Sequence, residues 1–212
     1  MLAVLLLLFW SLVLFLGINI ILLPFAFTLR SVSSLLSVPR QFYLIATNRR
    51  LRRNHALEHA TINVAEETIG CGKLSGLAKE NGFIIRGPAD PELIEWAARE
   101  GVTRLLQGDQ GLAIHNGCGT SMASANLLSS VVFLLLLVTL GSLNFFTVLT
   151  AVLMASLFGP VLGRLVQRFL TTSTDMRGVR VRRVSWHPIM GGFFGVAGPN
   201  LPKEFFIETV HE

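Results

Sequence analysis

Residues 111–163, GLAIHNGCGTSMASANLLSSVVFLLLLVTLGSLNFFTVLTAVLMASLFGPVLG, contain no Asp, Glu, Lys or Arg. A bilayer core about 30 Å thick is crossed by roughly 20 apolar residues in a helix rising 1.5 Å per residue. The stretch is long enough for two crossings, and Gly141-Ser142-Leu143-Asn144 breaks it near the middle. It reads as a helical hairpin, residues 122–140 and then 145–169. Upstream, residues 1–29 are also free of acidic and basic side chains, and residues 2–27 suffice for one further crossing. Three membrane-spanning helices are therefore expected.

Outside these stretches the charge density is ordinary, although only 15% of the whole chain is charged and 51% is hydrophobic. That contrast describes membrane segments joined to a water-facing domain. The first segment is read as a retained anchor and not a secretory signal peptide. Its apolar run exceeds a signal core, it lacks a basic leader, and no Ala-x-Ala site follows.

Arginines set the expected orientation. Arg30, Arg40, Arg49, Arg50, Arg52 and Arg53 follow the first crossing, and a second group including Arg164, Arg168 and Arg177 flanks and follows the third. The turn at Asn144 has none. The positive-inside rule then puts the N-terminus outside and the remaining domain and C-terminus in the cytoplasm, at a plasma or thylakoid membrane. The net charge of +5 is read as a match to anionic lipid headgroups and not to nucleic acid. The bilayer is thus the first partner. Cys71 and Cys118 would face a reducing compartment, as thiols or metal ligands.

The water-facing part reads as a small α+β domain. Asn54 offers an N-cap for a helix over 55–69 that Gly70 and Gly72 end. Residues 73–80 look like a loop. Asn81-Gly82 signals a turn before a strand at 83–85, and Asp90-Pro91 opens a helix running to about Leu106. A second short strand is expected at 112–114. In the tail, Val179, Val181 and Val184 alternate with arginines, and 203–210 reads as another strand. Between them Gly191–Gly195 reads as a flexible apolar loop. A unit of about 60 residues is marginal alone, so the tail strands are expected to complete its sheet. The fold class is an α+β membrane protein: anchor 1–29, basic juxtamembrane segment 30–53 interrupted by Pro39, domain 54–119, hairpin 120–170, tail 171–212. Gly159 and Gly163 form a GxxxG suited to close packing within the chain, and Pro160 predicts a kink.

One motif carries chemistry. His55-Ala-Leu-Glu58-His59 is H-x-x-E-H. Two histidines one turn apart share a helix face and can converge on one zinc ion, with Glu58 placed to act as general base on a metal-bound water. A third ligand is sought in His115-Asn-Gly-Cys118-Gly-Thr120, as either His115 or Cys118. Glu66 lies too far along the helix, His187 sits in a turn before Pro188, and His211 is read as a frayed terminal residue. No P-loop, dinucleotide fingerprint or G-x-S-x-G is present.

With these blocks in view, the chain resembles a family of uncharacterised bacterial membrane proteins found notably in cyanobacteria, which share an HALEHAT block and an AIH-x-x-CGT block. The resemblance covers roughly residues 50 to 170 and implies an architecture without an activity. His55, Glu58 and His59 are also similar, over five residues, to the inverzincin metallopeptidases. The leading expectation is a membrane-embedded zinc-dependent hydrolase, a peptidase first of all, acting at the cytoplasmic surface on a membrane-protein substrate. The alternatives are an assembly or scaffold factor for a membrane complex, such as a photosynthetic one, and histidine ligation of haem or another tetrapyrrole.

Overall fold

A computed structural model describes residues 2–70, 72–188 and 203–212. Cys71 and the expected loop at Gly191–Gly195 lie outside the described residues. The chain divides into two units, Met1–Arg40 with Met122–Pro160, and Gln41–Ser121 with Val161–Glu212.

Three helices are long and apolar enough to cross a membrane, as the missing charges require. They are α1 (Leu2–Thr47), α4 (Gly119–Leu140) and α5 (Phe145–Val166). In the first unit Phe133, Val148 and Ala151 are buried together, and Phe27 meets Phe133 edge to face at 4.9 Å. Gly159 lies so close to Ala125 that a Cβ would overlap it, so one glycine of the GxxxG does mediate close packing within the chain. The hairpin turns where expected. Gly141 takes φ +62°, and Asn144 caps α5 by accepting from the Thr147 amide at 3.1 Å.

Two expectations for α1 change. The helix does not stop before a separate juxtamembrane segment; it continues unbroken to Thr47, with Pro24 and Pro39 inside it. Proline removes one backbone donor, a loss a long helix survives when a side chain re-satisfies the freed carbonyl. The carbonyl freed by Pro24 is that of Ile20, while the Thr28 hydroxyl donates to the Pro24 carbonyl itself at 2.8 Å.

The second unit is a four-stranded antiparallel sheet of order β1-β2-β4-β3, packed against two helices. The strands are β1 (Ser75–Lys79), β2 (Gly82–Gly87), β3 (Val179–Pro188) and β4 (Lys203–His211); the helices are α2 (Arg49–Ile69) and α3 (Pro91–Leu106). Tail strand β4 pairs with β2 through Phe83–Ile207 and Ile85–Phe205, so the tail completes the sheet as expected. Those four side chains are fully buried with Leu57, Ile62 and Ile94.

Three local readings are corrected. Residues 75–79 form a strand and not a loop, because a two-residue turn at Glu80-Asn81 folds them onto β2. The strand is an exposed edge without apolar alternation, so only its pairing reveals it. Residues 112–114 form no strand; Gln110–Ala113 is a 3₁₀ turn. The Leu112 and Ile114 carbonyls accept from the Asn63 amide at 3.0 Å each, and the Ala113 carbonyl pairs with His59. Those backbone groups are satisfied by a helix face instead of a ladder. Finally, α2 begins earlier than expected. Asn48 is its cap, accepting from the Leu51 amide at 3.0 Å.

Asn54 is instead fully buried. Its amide donates to the Lys79 and Glu80 carbonyls at 2.8 and 3.0 Å, and its oxygen accepts from the Thr209 hydroxyl at 2.8 Å and faces His211 Nε2 at 3.1 Å. His211 therefore ends a paired strand and is not frayed. Asn54→Ala should strand several buried groups and destabilise the unit by about 3 kcal/mol, whereas Asn48→Ala should cost only about 1 kcal/mol. Thermal unfolding in detergent, followed by tryptophan fluorescence, checks the order. Equal effects would show that Asn54 does not tie these strands to α2.

Candidate metal centre

Helix α2 is polar in sequence yet buried along most of its length. A buried polar group is costly unless partnered, so each such side chain must be accounted for. Arg53 donates to Asp175 at 2.7 Å. Glu66 accepts from the Lys73 and Leu74 amides at 3.0 and 3.2 Å, closing the turn after the helix. The remaining groups, His55, Glu58 and His59, form the heart of the site.

One nitrogen from each of His55 and His59 and the sulfur of Cys118 all lie within 4.8 Å of one another, and all three residues are buried. The two rings are one turn apart on α2, with centroids separated by 4.4 Å. Cys118 comes from the turn immediately before α4. That turn is pinned by Gln167, whose oxygen accepts from the His115 amide at 2.9 Å and whose amide donates to the His115 carbonyl at 3.0 Å.

Hydrogen bonds fix which nitrogen each ring offers. His55 Nδ1 meets the Thr171 carbonyl at 3.0 Å, and His59 Nδ1 meets the Ala113 carbonyl at 2.7 Å. A carbonyl only accepts, so both Nδ1 atoms carry the proton and both Nε2 atoms present lone pairs. His55 Nε2 faces Cys118 Sγ at 3.3 Å. His59 Nε2 is buried and has no hydrogen-bond partner. Backbone carbonyls holding the far nitrogens of two imidazoles are the usual support for metal-ligating histidines. Zinc bonds of about 2.0–2.1 Å to nitrogen and 2.3 Å to sulfur put tetrahedral ligands about 3.6 Å apart. The observed separations need only small side-chain movements to reach that spacing. Three protein ligands leave one position open.

The electrostatics suit such a cluster. Burial lowers the pKa of His55, against the Thr171 hydrogen bond that raises it. Burial also lowers that of His59. Both rings are thus held neutral. Burial pushes the Cys118 thiol up, but the adjoining His59 ring and the Thr120 hydroxyl and amide outweigh it, leaving the thiol at about 7. The thiolate is the form that binds metals.

Glu58 sits beside the cluster. It lines a cavity of about 430 Å³ together with His55, Cys118, His115 and the β1 residues Gly76 and Leu77. Burial raises its pKa well above the ordinary carboxyl value, the nearby Cys118 charge raises it further, and a hydrogen bond from the Ala78 backbone opposes both. Gly76 is required here, because a Cβ at that position would overlap the Glu58 carboxyl.

Four of the five candidate residues thus come together as His55, Glu58, His59 and Cys118. His115 lies alongside, its ring centroid 5.9 Å from that of His59, but its Nδ1 is engaged with Asn63 Oδ1 at 2.9 Å and it is outside the three-ligand group. Glu66 and His187 are also outside it; His187 is exposed, 3.6 Å from Glu204. The sequence reading missed Thr171, Ala113, Gly76 and Gln167. A backbone carbonyl leaves no mark in sequence. Gln167 is fully buried, but between Arg164 and Arg168 a polar residue gives no sign of that burial.

No solved structure matches this chain. An uncharacterised protein of Picosynechococcus sp. is 31% identical over 140 residues, covering 59% of this chain and 67% of that protein. The model of a domain of unknown function, DUF6391, matches residues 50–184, a range holding both histidines, Glu58 and Cys118, and the chain accordingly belongs to the DUF6391 family.

Proposed function

We propose that this protein is a membrane-embedded zinc-dependent hydrolase that cleaves peptide bonds at the cytoplasmic face of the membrane. His55, His59 and Cys118 would hold the metal, and Glu58 would act as the base. The observation that carries the reading is the convergence of one nitrogen each from His55 and His59 and the Cys118 sulfur, all buried and all within 4.8 Å of one another. Two imidazole nitrogens and a thiol so placed would suit one zinc ion.

Bound there, zinc would supply a water of lowered pKa and polarise the substrate carbonyl. Glu58 would take a proton from the attacking water as the water oxygen adds to the carbonyl carbon. It returns the proton to the departing nitrogen as the C–N bond breaks. The cation would favour the ionised form of Glu58 that burial alone disfavours. Ile45, Leu51, Ile62 and Leu77 line the cavity, which suits a substrate with apolar side chains, such as a segment drawn from a membrane protein.

Purified wild-type protein should carry about one zinc per chain, and His55→Ala/His59→Ala or Cys118→Ser should carry almost none. Equal, sub-stoichiometric metal in all three sinks the metal site. Glu58→Gln should keep the zinc yet lose roughly 10²–10⁴-fold in cleavage rate on a pool of quenched apolar peptides. Full zinc without dependence on Glu58 would favour the scaffold reading, and a visible absorption band in the pure protein would favour a tetrapyrrole. For orientation, Ser142→Cys should react with a membrane-impermeant maleimide on intact cells, and Ser185→Cys only after lysis. The reverse pattern would overturn the cytoplasmic placement.

A further inference from the structure

The membrane unit contains a polar cavity that the hydrolase reading does not use. Its volume is about 460 Å³, within the roughly 300–1,000 Å³ of small-molecule sites. Three helices line it with one face each: Phe27, Arg30, Ser31 and Ser34 from α1, Asn126, Ser129 and Ser130 from α4, and Val152 and Ser156 from α5, with Ala125 and Ala155 between. No carboxylate is among the lining residues.

The hydroxyls divide into two kinds. Ser130 and Ser156 donate to carbonyls one turn back, Asn126 at 2.8 Å and Val152 at 2.9 Å. This is the ordinary resting state of serine in an apolar helix. Ser31 and Ser129 do not. Ser31 is fully buried, Ser129 is 7% exposed, and both oxygens lack a partner. Two unpartnered, buried hydroxyls on residues that line a cavity between apolar helices carry a desolvation cost that a ligand would remove.

The chemistry of the lining says which ligand. Arg30 is the first charged residue after the apolar run of α1, and it is exposed at the cavity. One guanidinium, several hydroxyl donors and no acid make an anion site. Phe27, Val152 and Ala155 add apolar walls, and Leu29 and Leu153 beside the lining are exposed in the manner of lipid-facing residues. An amphipathic anion fits both halves. We propose that this cavity holds the phosphate headgroup of an anionic phospholipid, with Arg30 pairing the phosphate and Ser31 and Ser129 donating to its oxygens.

Native mass spectrometry of the full chain, purified in neutral detergent, tests this with dioleoyl phosphatidylglycerol, dioleoyl phosphatidylcholine and inorganic phosphate as probes. Wild type should retain one phosphatidylglycerol in preference to phosphatidylcholine, and millimolar phosphate should not displace it. Arg30→Gln should lower retention about fivefold, as expected for one arginine near an anionic lipid. Ser31→Ala/Ser129→Ala should also weaken it, and Arg30→Lys should keep most of it. Equal retention of the two lipids, unchanged retention in both variants, or displacement by phosphate, which would mark a free-anion site, would each overturn the proposal. The wild-type preference decides the matter even if a variant fails to fold.

Discussion

A helix that buries its polar face can exist only where each polar group meets a partner, and α2 is built on that constraint. Asn54 takes the β1–β2 turn and the end of β4; His55 takes the Thr171 carbonyl; His59 takes the Ala113 carbonyl; Asn63 takes its two neighbours; Glu66 takes the two amides after the helix. The bonds reach several separate segments of the chain, with His59 and Asn63 sharing the one at residues 112–114. The second unit is therefore organised around one helix whose side chains replace missing backbone ladders. Apolar burial of Phe83, Ile85, Phe205 and Ile207 supplies the driving force. The polar bonds decide which arrangement that force selects, because a mispaired buried amide or imidazole costs about 1–3 kcal/mol.

The same constraint explains what the sequence made legible. Helices apolar enough to cross a membrane announce themselves through missing charges, a signal that needs no partner, and all three emerged with bounds shifted by only a few residues except at the end of α1. Strand β3 was visible in its near-alternation, and β4 in its apolar run Phe205-Phe206-Ile207. Strand β1 was not, because Ser-Gly-Leu-Ala-Lys carries no alternation and depends on β2 for its identity. The 112–114 segment looked like a strand because it is apolar and short, yet its carbonyls belong to Asn63 and His59. Asn54 looked like a cap because asparagine favours caps; its burial is a tertiary fact. Sequence spacing brought out His55, Glu58 and His59, since helix geometry relates them. It left His115 and Cys118 as equals, since nothing local tells which of two residues in a glycine-rich turn faces inward.

Of these two, the cysteine is the one in the cluster, and Asn63 shows why. Its oxygen engages His115 Nδ1, while its amide holds the carbonyls on either side of Ala113. That grip orients the Ala113 carbonyl toward His59 and turns the His115 ring aside. Asn63 lies one helical turn beyond His59, so a single α2 face both presents His59 and fixes the backbone that sets its tautomer. The histidine and the carbonyl that orients it are thus coupled through one asparagine.

Glu58 completes the logic from the other side. A carboxyl buried this deeply is unfavourable without a cation or donors, and the Ala78 backbone alone is a weak offset. The fold nonetheless makes room for it by placing Gly76, the one side-chain-free residue of β1, directly over the carboxyl. Packing alone would fill that space better with an apolar residue on either element. Here an edge strand is thinned at the point where a carboxyl enters a cavity, beside two imidazoles and a thiol. Local concessions of this kind collect where proteins bind or react, and here they collect around one buried nitrogen without a partner.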